Sequence, residues 1–294
     1  MNRLEKFIVT ALILVLSTIA GYSTNLNTTK NQPECADQGT IKILSIGNSF
    51  SDDAVEDHLY DLVKADGKSI VIGNMYIGGC SLEKHLRNAK ENKPAYRYSK
   101  RTCDGVKTHT KGVTLETALA DEEWDYITFQ QQSGQSGIYA TWEESLPELL
   151  EYVKSKVSPE TIFLIHQTWA YDKTSTHRDF PRYDNDQKKM YKSIISAVSS
   201  ASKLTGIKKI IPCGTAIQNA RTTSLVDTVT RDGYHLHKPV GRYIAACTWF
   251  EIIFNTSVLG NSYYPQEMTP EQQTLAQKAA HAAVRKPKKV TKIK

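Results

Sequence analysis

An apolar run that breaks into a small polar turn leaves few folds open to this chain. Residues 41–46, Ile-Lys-Ile-Leu-Ser-Ile, suit a strand covered on both faces, and Gly47-Asn48-Ser49 ends the run. Asp53, with Glu56 three residues on, predicts an N-cap and capping-box partner for a helix over 54–65. Strand, turn and helix in that order open a sheet whose ligand crevice lies past the carboxyl ends of its strands. Backbone N–H groups at a helix N-terminus there can receive developing negative charge. Ser49 is therefore placed as a nucleophile if the chain supplies its partners, although serine is also an ordinary turn residue.

The rest of the chain repeats the alternation. Residues 69–77, 126–130, 161–166 and 208–213 are short runs rich in Ile, Val, Phe and Tyr. Between them lie helical stripes: Leu146, Leu149, Leu150, Val153 and Val157; then Met190, Ile194, Ile195, Val198 and Ala201, bounded by Asp184 to Asp186 and by Gly206. Further helices are expected over 239–254 and 270–284. Five strands with interleaved helices predict an α/β fold, a three-layer α/β/α sandwich on a mostly parallel five-stranded sheet.

Residues 1–23 read as a secretory signal: Arg3 and Lys6 precede the apolar stretch 7–20, and Ala20 or Ser23 offers a small-residue cleavage site. The expectation is an exported protein, periplasmic or secreted, with no stable membrane span after cleavage. Residues 24–39 form a solvated lead-in, 40–284 one domain, and 285–294 a basic tail.

The formal charge of +6 does not point to nucleic acid. Arg285, Lys286, Lys288, Lys289, Lys292 and Lys294 supply it, and without them and the signal the body carries about −1. The tail is expected to be a solvated end. Of five cysteines, Cys213 and Cys247 lie in apolar elements as small buried hydrophobes; Cys35, Cys80 and Cys103 complete the set. Two bridges are possible and the sequence cannot pair them.

A partner for Ser49 lies in the polar segment 230–241, Thr-Arg-Asp-Gly-Tyr-His-Leu-His-Lys-Pro-Val-Gly. Asp232 stands three residues before His235, a separation that on a turn brings a carboxylate against an imidazole. The carboxylate then fixes the ring's tautomer and stabilises the imidazolium formed on taking the serine proton. His237 competes for the role or, with His235, suggests a metal pair. No third ligand of suitable spacing accompanies them, so no metal or other cofactor is expected.

Gly47-Asn48-Ser49-Phe50-Ser51 after the first strand, Gly78-Gly79-Cys80-Ser81 after the second, Gln130-Gln131-Gln132-Ser133-Gly134 after the third, and Asp232-x-x-His235 before a late helix together resemble the SGNH (GDSL-type) hydrolases. The resemblance implies a flavodoxin-like sandwich and hydrolysis of acyl esters. Ser49 would match the nucleophile, His235 the base and Asp232 the acid. The oxyanion donors would be the N–H of Ser49, that of Gly79 (or Gly78), and a side-chain amide.

Two departures stand out. Asn48 replaces the usual aspartate, and glutamine replaces the usual oxyanion asparagine, with Gln131, or failing that Gln132, taking the role. The expected substrate is a short acyl ester, acetyl on carbohydrate, with Gln132, Trp169 and His166 lining the crevice. Trp142, Tyr139, Tyr171 and Tyr183 supply further aromatic faces, which equally pack as core. A lipase or thioesterase, and a non-catalytic carbohydrate-binding protein on the same fold, are the alternatives.

Overall fold

The computed structural model describes residues Gly39 to Lys294; the signal and nearly all of the lead-in lie outside them. The chain runs β1 Ile41–Gly47, α1 Ser49–Val55, α2 Leu59–Ala65, β2 Ile70–Tyr76, α3 Leu82–Lys90, β3 Tyr96–Arg101, β4 Lys107–Val113, α4 Leu115–Leu119 and β5 Tyr126–Phe129. It continues α5 Tyr139–Glu143, α6 Leu146–Lys154, β6 Ile162–His166, α7 Gln187–Thr205, β7 Lys209–Ile211, α8 Cys213–Ala220, α9 Gly241–Phe254 and α10 Pro270–Arg285.

Seven strands form one sheet in the order β4-β3-β2-β1-β5-β6-β7. The five expected strands are its parallel part, and β3 and β4 add an antiparallel hairpin beyond β2. That corrects the strand count from five to seven. β4 reads Lys-Thr-His-Thr-Lys-Gly-Val and is exposed at every residue but the last, so no apolar alternation announces it. β3 buries Tyr96, Tyr98 and Lys100, and the lysine is held by Asp121 and Glu122 at 2.8 and 2.5 Å.

Helices cover both faces. α8, α9 and α10 pack together with α1 and α2 against α9; on the other face α3 meets α4, α5 and α6, and α7 meets α5 and α6. α9 is buried almost all round, as a helix apolar on every side must be. The chain leaves β1 toward β2 on one side, and β5 enters on the other. The carboxyl ends of β1 and β5 thus mark the switch point at which open α/β sheets bind ligands.

The first helix differs from its predicted form. Asn48, not Asp53, is the N-cap: its Oδ1 accepts the Phe50 N–H at 3.0 Å. The helix stops at Val55 and resumes at Leu59. Asp53 lies inside α1, buried against arginines, and Glu56 turns to Asn74 (2.8 Å), Arg97 (3.0 Å) and Lys107 (3.1 Å). Buried carboxylates take their partners from tertiary contacts, which outweigh a local capping box.

The tail differs too. Its backbone docks on α8 and the residues after it: Thr215 donates to the Pro287 carbonyl (2.6 Å), and the N–H groups of Thr291 and Ile293 reach Asn219 Oδ1 (2.7 Å) and Thr222 Oγ1 (3.0 Å). Cys80, Cys213 and Cys247 are buried free thiols, while Cys103 is disulfide-bonded. Among the described residues no helix is long and apolar enough to cross a membrane.

Candidate active site

The end of β1 delivers Ser49 as the first residue of α1. Gly47 permits the turn, since a Cβ there would fall 2.6 Å from Gln130 Oε1 and 2.7 Å from Ser51 Oγ. Ser49 Oγ stands 2.9 Å from His235 Nε2, and His235 Nδ1 stands 2.6 Å from Asp232 Oδ2. The other Asp232 oxygen accepts the N–H groups of Tyr234 (3.1 Å) and His235 (2.7 Å). Burial raises the Asp232 pKa, but the hydrogen bonds from the His235 ring and from both N–H groups outweigh it and hold the carboxyl below its usual value. An ionised Asp232 fixes the proton on Nδ1 and leaves Nε2 free to accept from serine.

Asn48 ties the surrounding loops together. Its amide donates to the Cys80 carbonyl (3.0 Å), and its oxygen accepts from Gln130 Nε2 (2.8 Å) as well as from Phe50 N–H. An aspartate could make the two accepted bonds but not the donated one. The Asn departure thus has a structural use: it joins the Ser49 turn to the turn carrying Gly78 and Gly79. Gly79 has φ +60°, a left-handed conformation that favours glycine. Among the described residues, the N–H groups of Ser49 and Gly79 donate to nothing.

The three glutamines divide the work. Gln131 is buried and its amide is spent: Nε2 donates to Thr141 O and Oγ1, both at 3.0 Å, and Oε1 accepts from Leu82 N–H (2.9 Å) and Gln132 N–H (2.8 Å). The expected oxyanion role does not fit it, because both amide hydrogens are committed. Gln130 serves Asn48. Gln132 is half-exposed, with Nε2 held 3.3 Å from Asp179 Oδ2 and one amide hydrogen left over.

Two of the expected crevice residues are core. Trp169 is fully buried, stacks on Phe50 at 4.2 Å and donates to the Tyr234 carbonyl at 2.7 Å. It supports Phe50, next to Ser49, and Tyr234, next to His235. His166 is equally buried, packs edge-on against Trp249 at 5.2 Å, and is held neutral by burial, which pulls its pKa down to about 3. Neither can touch a substrate. Trp142, Tyr171 and Tyr183 are buried as well, which leaves Tyr139 partly exposed. His237 joins no metal-holding group; among the described residues no cluster of three or more His, Cys, Asp or Glu could bind an ion.

Asp53 was legible only as a cap, yet it braces the site. Its carboxylate takes Arg242 Nη2 (2.5 Å), Arg231 Nη1 (3.2 Å) and the Leu236 N–H (2.7 Å). An acid on the buried face of a helix needs a cation, and Arg231 beside Asp232 was the signal for one.

Comparison with known proteins agrees with this fold. A crystal structure of a DUF4886 family protein from Bacteroides uniformis is 54% identical, covers 86% of this chain and 98% of its own, and superposes with a TM-score of 0.85. A candidate SGNH hydrolase from Slackia heliotrinireducens is 20% identical over 73% of this chain and 99% of its own, with a TM-score of 0.50, a likeness of fold. No curated protein sequence matches. The family model described as a domain of unknown function, DUF4886, matches residues 42–283, and the chain belongs to that family.

Proposed function

We propose that this protein is an exported serine esterase that removes short acyl groups, acetyl first, from carbohydrate. The observation that carries the reading is the relay Ser49–His235–Asp232, with 2.9 and 2.6 Å between successive partners. These are hydrogen-bond distances for a nucleophile, its base and the group that orients the base.

His235 Nε2 takes the Ser49 proton as Oγ attacks the ester carbonyl. The N–H groups of Ser49 and Gly79 and the spare amide hydrogen of Gln132 receive the oxyanion. His235 returns the proton to the departing alcohol, leaving acyl-Ser49. A water then gives its proton to His235, attacks the acyl carbon and releases the acid as the proton passes back to Ser49.

Among the partly exposed groups near the relay are Tyr234, whose ring lies 4.2 Å from that of His235, and His177, 4.7 Å from Tyr234; such amphipathic rings suit a small acyl group on a hydroxylated substrate better than a long chain. The export reading rests on residues 1–23, and the carbohydrate reading on the sequence. A complete relay argues against a purely binding role, which would place no demand on the Ser49–His235 contact.

Hydrolysis of p-nitrophenyl acetate, butyrate and octanoate by wild type and Ser49→Ala tests the reading, followed by acetate release from acetylated glycans. Turnover falling with acyl length and abolished by the substitution is expected. Turnover rising with acyl length would favour a lipase, and equal inertness of both proteins on every ester would refute the esterase.

A further inference from the structure

A cavity of about 500 Å³ lies between α7, the end of α8 and the docked C-terminal segment. Cavities of this size hold small organic ligands. Lys188, Lys192, Arg221, Lys288 and Lys289 line it, and no carboxylate does. Among the described residues none of the four lysines forms an ion pair, whereas neighbouring Lys189, outside the cavity, is paired with Asp184. Two acids lie nearby: Asp186 caps the N–H groups of Lys188 and Lys189, and Asp172 acts on Arg221 through its charge.

Arg221 adds a guanidinium with no bonded carboxylate to the cavity wall. Its Nη1 donates to the Ala170 carbonyl (3.0 Å) and Gln218 Oε1 (2.8 Å), while Nε and Nη2 are buried with no hydrogen-bond partner among the described residues. A buried cation without a bonded carboxylate is costly, and an anion in the adjoining space offsets that cost. The remaining wall joins the Tyr191 ring, Val290 and the aliphatic stems of the lysines to the neutral polar side chains of Gln187, Gln218 and Thr222.

We propose that this cavity binds a small organic phosphate, a multiply charged head on an apolar body. Five cations about one space exceed what a single carboxylate uses, while a phosphate monoester carries about −1.5 to −2 charges and accepts through three oxygens. Lysine ammoniums serve phosphates as point charges, and the walls of Tyr191 and Val290 select for a non-polar body over a bare ion. The site shares no residue with the Ser49 relay, so it stands whether or not the esterase reading does.

Titration calorimetry of the full chain with 1-naphthyl phosphate at low salt tests it, beside 1-naphthol and inorganic phosphate. One molecule per chain is expected, with both comparators at least 10-fold weaker. The variant Lys192→Glu/Lys288→Glu, whose residues are exposed, should lose affinity at least 10-fold with melting temperature and p-nitrophenyl acetate turnover unchanged. Several results would overturn the proposal: no heat with 1-naphthyl phosphate, equal binding of 1-naphthol or of inorganic phosphate, or an unaffected variant. Retention on phosphatidic acid vesicles that 1-naphthyl phosphate cannot displace would assign the lysines to a membrane surface and overturn it too.

Discussion

Asp53 accepts the backbone N–H of Leu236 at 2.7 Å, so the residue one helical turn after Ser49 holds the residue that follows His235. The same carboxylate binds Arg231, whose guanidinium also reaches the Leu236 carbonyl at 2.5 Å. The two halves of the relay come from segments almost two hundred residues apart in sequence, and this clamp sets their separation. Asp53→Asn keeps an acceptor for Leu236 but takes from buried Arg242 one of its two close carboxylates, leaving Asp57 at 2.7 Å. A loss of about 1–3 kcal/mol in stability is expected as charged hydrogen bonds become neutral ones, with kcat down about 100-fold as the relay loosens. Urea unfolding and p-nitrophenyl acetate kinetics measure the two. Unchanged kcat in the folded variant would show that the Asp232 contacts position the base unaided.

Asn48→Asp restores the residue common in the resembling family and should harm this protein. The Cys80 carbonyl loses its donor and meets a buried carboxylate. An unsatisfied buried acceptor costs about 1–3 kcal/mol, or about 2–4 °C in melting temperature per kcal/mol at this chain length. A thermal melt at least as high as wild type would remove the bridging role of Asn48.

Gln131 and Gln132 separate by readout. Gln132→Ala should lower kcat about 10²–10³-fold, the usual cost of an oxyanion donor, at unchanged melting temperature. Gln131→Ala breaks four hydrogen bonds of a buried amide and should destabilise instead, with turnover per folded molecule retained. Kinetics of both variants, corrected for folded fraction, decide the assignment; the reverse pattern would return the oxyanion to Gln131.

The acid cluster behind α1 predicts opposing contributions to the pH dependence of stability, on a background in which buried His85 and His166, both held down to about 3, lower stability as the pH falls below about 6.5. Burial, with the charge of Glu56, raises the Asp52 pKa to about 6 against its ion pair with Arg97. Glu56 sits at about 2, because hydrogen bonding from Asn74 and the charges of Lys107 and Arg97 overcome its burial. As pH falls from about 7, the folded chain binds a proton at Asp52 before the unfolded chain does, so the Asp52 contribution to stability rises against that background. Below about 4.5 the unfolded chain protonates Glu56 while the folded chain resists, and stability falls. Urea midpoints should therefore fall more steeply between about pH 7 and 4.5 in Asp52→Asn than in wild type. Equal slopes in the two proteins would contradict the Asp52 shift.

Periodicity made the parallel sheet legible, because buried strands and amphipathic helices must write their burial into residue type. Positions 41–46 and the stripe from Met190 to Ala201 follow that rule. β4 does not: a strand exposed on both faces carries no alternation to read. Asp232-x-x-His235 and Ser49 could be found because a turn fixes the first pair locally and a strand end places the other. The roles of Trp169, His166 and Gln131 could not, since whether such a side chain faces a crevice or the core depends on neighbours distant in sequence. Asp53 misled for the same reason: its partners are about 180 positions away.

The two borders of the sheet bear on how this protein behaves in a crowded solution. β7 is three residues long, and β4 offers lysines, threonines and a histidine where an apolar strand would invite pairing. Unpaired backbone at a sheet border is a template for strand addition between molecules, and shortness or lysine charge blunts it. The residues that made β4 invisible to pattern reading thus give the protein resistance to border-to-border aggregation.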